Sequence, residues 1–313
     1  TRRSSSAASD VYKRQLEHPA SMSAMKKWAK NTQRNHIIVE HNDNSGSVDE
    51  QAYIKKLTSD VRVVSIVHTS PVTGMTVDLE KITKEVRNVT PDCIIIVDGI
   101  QHSSHGAIDV QKYDIDGYVV SPYKMFSRHG YGVAWASERL CSLNKEQLAD
   151  GPFQNWELGT RDAGSYATFS DVVDYLDWLG SNFTESENTR ERLEASSIAI
   201  KSHEQELVDL VINGAEDIVG LRNNKKIRII GNSASTSREG VVSFFHKNKP
   251  SRIIVEELRQ RKIRVHIRKD DHYCGNILRP LNQKDCIRFS ICHYNSKAEV
   301  VEFMKAINEI STN

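Results

Sequence analysis

A lysine and an aspartate stand just beyond two strongly apolar segments of the chain. Asp98 follows residues 93–97, and Lys124 follows residues 118–121. A carboxylate at the end of a buried strand is partly desolvated and needs a cationic partner to stay ionised. An amine beside it could form a Schiff base with pyridoxal phosphate, while the carboxylate keeps the pyridine nitrogen protonated. The other interpretation is a solvated lysine and an ordinary Asp98-Gly99 turn.

Polar clusters come directly after three of the predicted strands. They span residues 68–74, 98–101 and 121–124. Open α/β sheets bind their ligands beyond the carboxyl ends of the strands. If the three strands are neighbours, we expect these clusters to converge on one site.

The elements that position these clusters alternate along the first half of the chain. Segments that are apolar throughout alternate with helical patterns, which predicts an α/β domain with a parallel or mixed sheet covered on both faces. Asp78 is the predicted N-cap of one helix. The predicted strands are 36–40, 61–67, 93–97, 117–121 and 132–137, and the predicted helices are 20–30, 48–57 and 79–87.

The second half predicts a smaller α+β unit. Helices are predicted at 167–179, 189–213, 251–260 and 296–310, and strands at 226–230, 240–245, 263–267 and 286–291. We divide the chain into a basic, Ser-rich leader (1–15) that is non-native or disordered, a large α/β domain (16–190) and a small C-terminal α+β domain (191–313).

Composition narrows the class of protein. The chain has 313 residues, a formal net charge of +1, 38% hydrophobic and 27% charged residues. These values predict a globular protein with no overall attraction to nucleic acid or an anionic membrane. No apolar run approaches the ~20 residues of a membrane span. Five scattered cysteines argue against a disulfide framework or a metal site, so we expect a reducing, cytoplasmic location.

The ordered set of motifs resembles the cofactor signature of class V aminotransferases. It comprises Asp98-Gly-Ile-Gln101, then His105, then Ser121-Pro-Tyr-Lys124-Met-Phe. The similarity is greatest to the cysteine desulfurase-like branch and extends from Glu17 to about residue 310. It implies a pyridoxal-phosphate-dependent transferase fold of type I, with a mainly parallel sheet in the large domain and pyridoxal 5′-phosphate as cofactor.

The resemblance assigns a role to each cofactor-binding residue. Lys124 corresponds to the Schiff-base lysine, Asp98 to the pyridinium partner and Gln101 to the residue that contacts the ring O3′. Ser121 and Tyr123 correspond to phosphate contacts, although cysteine desulfurases usually have His at the position of Tyr123. His18 corresponds to the histidine that stacks on the cofactor ring. The alternative interpretation of His18 is a surface histidine at the start of a helix.

Three further residues extend the resemblance to the substrate and to a second subunit. Thr160 corresponds to a threonine that reaches the phosphate across a dimer interface, which implies a homodimer with a shared active site. Arg288 corresponds to the arginine that binds the substrate α-carboxylate, and a guanidinium matches a carboxylate geometrically. Cys274 lies where desulfurases carry the sulfur-accepting cysteine, and an exposed thiol there could form a thiolate that attacks a substrate sulfur. The alternative is a small, buried residue that serves only packing.

These assignments favour a cysteine desulfurase-like enzyme that acts on an amino acid and passes sulfur to Cys274, with a sulfur-acceptor protein as a further partner. The alternatives are a class V aminotransferase, an epimerase or another lyase that does not use Cys274. A non-catalytic scaffold with the same fold is the third interpretation. The family's N-terminal phosphate loop has no counterpart before Glu17, so the sequence resembles a truncated member, for which an organellar location stays open.

Overall fold

The computed structural model describes residues 16–42, 48–153, 156, 158–160 and 162–312. The predicted leader, residues 1–15, lies outside the described residues. Among the helices of the described part, none combines the length and apolarity needed to cross a bilayer.

The first unit contains a mixed sheet flanked by helices. Its helices are α1 (Pro19–Asn31), α2 (Glu50–Ile54) and α3 (Leu79–Val89), and its strands are β1 (Val63–Val67), β2 (Ile94–Asp98), β3 (Gly117–Val120) and β4 (Val133–Ala136). The strand order is β1-β2-β3-β4. The first three strands run parallel, and β4 is antiparallel to β3. The predicted α/β class is therefore confirmed.

Local sequence explains where these helices begin. The side chain of Asp78 accepts a hydrogen bond from the backbone N–H of Lys81, which makes it the N-cap of α3 as predicted. Asp49 caps α2 in the same way, but α2 is shorter than the predicted helix 48–57. The predicted strand at 36–40 is wrong, because the structure shows no ladder for these residues among the described strands and leaves them without regular structure.

A helical connection leads to the second unit. It contains α4 (Glu138–Cys141), α5 (Ala163–Gly180) and the long α6 (Thr189–Asn213), whose bounds match the prediction. The predicted boundary after residue 190 falls in the first turn of α6 and stays a prediction. The two short strands β5 (Gly214–Ala215) and β6 (Ile218–Val219), like α4, were not predicted.

The second unit is built on an antiparallel sheet. Its strands are β7 (Ile227–Ile229), β8 (Val241–His246), β9 (His266–Lys269) and β10 (Asp285–Ser290), in the order β7-β8-β10-β9, and its helices are α7 (Ser251–Gln260), α8 (Gly275–Leu278) and α9 (Lys297–Thr312). All pairs in this sheet are antiparallel. Cys274, Ile277 and Cys286 pack into the core of the first unit, so the two units share buried apolar surface.

Candidate active site

The carboxyl ends of three strands open onto one cavity. Val67 pairs with Asp98 and Asp98 with Val119, so β1, β2 and β3 end side by side. Residues just beyond these strands line a cavity of about 580 Å³, together with the start of α1 and residues of β9 and β10. Every predicted site residue except Thr160 lines it: His18, Asp98, Gln101, Ser121, Tyr123, Lys124, Cys274 and Arg288.

A second cavity of similar size lies elsewhere. It measures about 610 Å³ and lies between α1, residues 33–39 and β1. Met22, Met25 and Val64 contribute to its lining, whereas neither Lys124 nor Asp98 borders it. The cavity at the strand ends is therefore the candidate active site, because it alone of these two contains the amine and the carboxylate.

Lys124 lies in a short 3-10 turn that begins where β3 ends. Its Nζ donates a hydrogen bond to Oε1 of Gln101 at 2.7 Å. Burial and the positive charge of Arg288 lower the pKa of Lys124 to about 8, although the negative charge of Asp98 opposes the shift. An amine with this pKa is partly unprotonated at neutral pH and can attack a carbonyl.

Asp98 ends β2 and borders the same cavity. Burial raises the pKa of Asp98, while a hydrogen bond from the N–H of Ile100 and the charges of His18 and Lys124 oppose that rise. The next residue, Gly99, has to lack a side chain, since a Cβ there would lie 2.0 Å from the Tyr118 ring. The glycine after Asp98 is thus required by the packing of Tyr118 against the end of β2, and not only by a turn.

Gln101 is held by a buried relay that the sequence did not reveal. Its Nε2 lies 3.0 Å from Nε2 of His105, and Nδ1 of His105 lies 2.7 Å from Oε2 of Glu204 on α6. Burial alone would lower the pKa of His105, but the hydrogen bond to Glu204 raises it overall. Since Gln101 Oε1 accepts from Lys124, its amide donates to His105, which fixes the orientation of the amide.

A second buried imidazole–carboxylate pair braces the same loop. Nδ1 of His102 lies 2.5 Å from Oε1 of Glu239, which precedes β8. The ring of His102 stacks on His68 at 3.6 Å between centroids, and Nδ1 of His68 lies 2.9 Å from the hydroxyl of Tyr118. Gln101 therefore sits on a loop that both structural units hold in place.

Arg288, Arg268 and Cys274 belong to the part of the cavity wall that the second unit contributes. Nη1 of Arg288 donates to the carbonyl of Pro71 at 3.1 Å, and burial followed by the charge of Arg268 lowers the pKa of Arg288 to about 10. Arg268 was missed by the sequence analysis, because it stands between Ile267 and the charged Lys269, whereas Arg288 stands between the apolar residues Ile287 and Phe289. Of the two interpretations of Cys274, the structure favours the buried packing residue: Cys274 is 2% exposed, and burial raises the pKa of its thiol.

The other predicted residues differ in their surroundings. Ser121 and Tyr123 flank Lys124 on the cavity wall, and Tyr123 stacks on His129 with ring centroids 4.2 Å apart. His18 caps α1 through its Nδ1, and burial lowers its pKa. Thr160 is exposed and does not border the cavity of this chain.

The residues present fit pyridoxal phosphate. The cavity joins an amine of low pKa, a carboxylate at a strand end, an amide of fixed orientation and two hydroxyls beside the lysine. Lys124 would hold the aldehyde carbon, Asp98 the ring nitrogen, Gln101 the ring oxygen, and Ser121 with Tyr123 the phosphate. The cofactor would supply an electron-withdrawing ring next to the substrate.

Comparisons with known proteins agree with this interpretation. The family model for aminotransferase class-V matches residues 6–303. An aminotransferase-like protein of Gibberella zeae is 26% identical over 276 residues, which cover 85% of this chain and 63% of that protein. A probable cysteine desulfurase of Pseudomonas putida is 23% identical, with 94% of this chain and 69% of that protein covered.

Solved structures share the fold. A cysteine desulfurase from Thermococcus onnurineus is 20% identical with a TM-score of 0.76, and the match covers 96% of this chain and 74% of that one. The cysteine desulfurase CsdA from Escherichia coli is 20% identical with a TM-score of 0.73, over 94% of this chain and 70% of that one.

The chain covers only part of the length of its curated relatives. It spans 63% of the Gibberella zeae protein and the same share of a probable cysteine desulfurase of Treponema pallidum. The family match nevertheless covers nearly the whole chain, and the fold is that of the solved relatives. The chain therefore belongs to the class V aminotransferase family, whose members are pyridoxal-phosphate-dependent enzymes of fold type I.

Proposed function

We propose that the chain is a pyridoxal-phosphate-dependent enzyme that changes bonds at the Cα of an amino acid. The observation that carries this proposal is the Lys124 amine, which shares one cavity with Asp98 and has a pKa lowered to about 8. When bound, the cofactor supplies an electron sink that stabilises negative charge at Cα. Cationic Arg288 would orient the substrate carboxylate, and Asp98 would hold the ring nitrogen of the cofactor.

Lys124 has two tasks in this proposal. Its amine would hold the aldehyde carbon of the cofactor, and with substrate bound the free amine would accept the proton from Cα. Its low pKa suits both tasks, because a base works best when its pKa lies near the working pH. Gln101 keeps the amine in place through the 2.7 Å hydrogen bond to Nζ.

Absorption spectroscopy with borohydride reduction tests the proposal. The protein incubated with pyridoxal phosphate should turn yellow, and reduction should fix the cofactor on the peptide that contains Lys124. Lys124→Ala should abolish fixation, whereas Lys84→Ala, at an exposed lysine of α3, should leave it unchanged. A folded protein that stays colourless would favour the non-catalytic scaffold instead.

Two reaction types remain candidates, and each has an observation in its favour. Desulfuration is supported by the position of Cys274 on the cavity wall with Arg288, where the thiol could accept sulfur from cysteine. Transamination, epimerisation or another lyase reaction is supported by the burial of Cys274 and its raised pKa, which leave little reactive thiolate. We favour a reaction that does not use Cys274 as the nucleophile.

The variant Cys274→Ser separates the two candidates. If desulfuration occurs, this variant should lose sulfide release from cysteine and keep the bound cofactor's absorption. Cys141→Ser, at a cysteine outside the cavity, is the matched control. Unchanged cysteine turnover in Cys274→Ser would exclude the sulfur-accepting role.

A homodimer with a shared site is part of the proposal. Exposed aromatic and aliphatic side chains lie close to Thr160 in the sequence, namely Trp156 and Leu158, and Trp135 and Phe153 are exposed as well. Large apolar side chains that are exposed in the single chain would be covered if this segment lay at an interface between subunits. Light scattering should give twice the mass of the chain. Thr160→Ala should lower the affinity for the cofactor without changing the mass of the dimer. A monomer that binds the cofactor normally would contradict this arrangement.

A further inference from the structure

Two arginines lie on one face of the antiparallel sheet at the cavity. In the pairing of β9 with β10, Arg268 is opposite Cys286, and Arg288 is opposite His266. Residues two apart on a strand share a face, so Arg268 and Arg288 are diagonal neighbours, with Cα atoms roughly 7–8 Å apart. Both side chains line the cavity that contains Lys124.

Neither guanidinium has an acidic partner among the described residues. Within that part of the chain no ion pair involves Arg268 or Arg288, and the Nε atom of each is buried without a hydrogen-bond partner. Arg288 donates to a backbone carbonyl, that of Pro71. Both side chains are partly exposed, but their buried Nε–H groups have lost water without gaining an acceptor, so an anionic ligand would stabilise them.

The charges that line the cavity are unbalanced. Its acids among the described residues are Glu17 and Asp98, against the cations Lys124, Arg268 and Arg288. Burial raises the pKa of Glu17 to about 7, so this acid is partly protonated at neutral pH. Apart from the cofactor phosphate, which Ser121 and Tyr123 would hold, the two arginines of β9 and β10 face a single α-carboxylate, so one guanidinium is left for a further anionic group.

We infer that Arg268 binds a second acidic group of the substrate, so that the site takes an amino acid whose side chain ends in a carboxylate. This inference rests on the proposed function, in which Arg288 binds the α-carboxylate. Each guanidinium offers a planar fork of donors that matches one carboxylate. The diagonal spacing of the two arginines fits carboxylates joined by a chain of two or three carbons.

Two other roles for Arg268 give different results in the same experiment. Arg268 could neutralise the cofactor phosphate, in which case its loss would weaken cofactor binding. It could instead stabilise a thiolate of Cys274, since its charge lowers the pKa of that thiol against the effect of burial. In that case its loss would slow alkylation of Cys274 and leave the affinity for acids unchanged.

Calorimetry with unreactive acids tests the inference without turnover. Succinate and glutarate should bind the cofactor-loaded protein. Arg268→Gln should lower the affinity for both acids about 10- to 100-fold, the usual loss for a charged hydrogen-bonded pair. Butyrate, which has one carboxylate, should bind both proteins equally. Arg264→Gln, at an exposed arginine that precedes β9, is the matched control and should change nothing. Arg268→Lys keeps the positive charge but loses the planar fork of donors, so its affinity for dicarboxylates should lie between those of the unchanged protein and of Arg268→Gln.

The outcomes separate this inference from the proposed function. If the cofactor spectrum forms but dicarboxylates bind no better than butyrate, the second acid site does not exist. If Arg268→Gln weakens cofactor binding, Arg268 neutralises the phosphate instead. If Arg268→Gln only slows the alkylation of Cys274, Arg268 stabilises the thiolate instead. If no cofactor spectrum forms in a folded protein, the proposed function fails, whereas dicarboxylate binding still reports on the two arginines.

Discussion

The reactivity of Lys124 gives the sharpest test of the site. Burial and the charge of Arg288 lower its pKa from 10.5 to about 8. At pH 7.5 about 24% of such an amine is unprotonated, against about 0.1% of a lysine with pKa 10.5. At equal intrinsic reactivity, Lys124 of the cofactor-free protein should therefore react roughly 240-fold faster than a lysine with pKa 10.5.

Trinitrophenylation of the cofactor-free protein between pH 6 and 10, with peptide mapping of the products, measures this difference. The rate of labelling at Lys124 should rise with pH and level off above an inflection near pH 8. Arg288→Gln should move the inflection to higher pH, because it removes a positive charge that disfavours the ammonium form. Lys84→Ala should change nothing. An inflection at pH 10 or above would refute the argument that burial in the cavity activates this amine.

Three further predictions concern buried carboxylates. The pKa of Glu17 is about 7 in the folded chain and 4.5 for an unperturbed glutamate, so the free energy of unfolding should fall by up to about 3 kcal/mol between pH 4.5 and 7. Glu17→Gln should remove this fall, as measured by urea titrations at several pH values. Asp116 accepts hydrogen bonds from Arg87 and Arg139, and Asp116→Ala should cost roughly 3 kcal/mol by urea unfolding. Glu204→Gln should lower the pKa of the His105 ring, measured by NMR titration.

Each of these predictions has a clear contrary result. A urea midpoint for Glu17→Gln that keeps the pH dependence of the unchanged protein would show that another group titrates. A loss below about 0.5 kcal/mol for Asp116→Ala would show that its arginine contacts are screened by water. An unchanged titration of His105 in Glu204→Gln would show that the relay to α6 does not control the ring.

The sequence predicted those parts of the fold that depend on short-range signals. The N-cap Asp78 and the apolar segment before Asp98 are visible in a few consecutive residues. Convergence of the polar clusters could also be predicted from them, because parallel strands place their carboxyl ends at one edge. The positions of Lys124, Asp98 and Gln101 around one cavity are the result.

The remaining features depend on contacts between distant residues. Glu204 is far from His105 in the sequence, and nothing near either residue indicates their pairing. Arg268 joins Arg288 only through the register of β9 and β10, which the residues between those strands determine. The sequence left open whether Cys274 is exposed or buried, because its packing into the core with Ile277, just before α8, depends on tertiary contacts that composition does not reveal.

The two imidazole–carboxylate pairs make the halves of the chain inseparable. Both histidines lie on the loop after β2, whereas Glu204 and Glu239 come from α6 and from the turn before β8. If the chain were cut after residue 190 and the halves separated, both histidines would lose their carboxylate partners and the apolar surface shared by the two units would be exposed to water. The first half expressed by itself would thus lose the support beneath Gln101, and truncation for crystallisation or display has to keep both halves together.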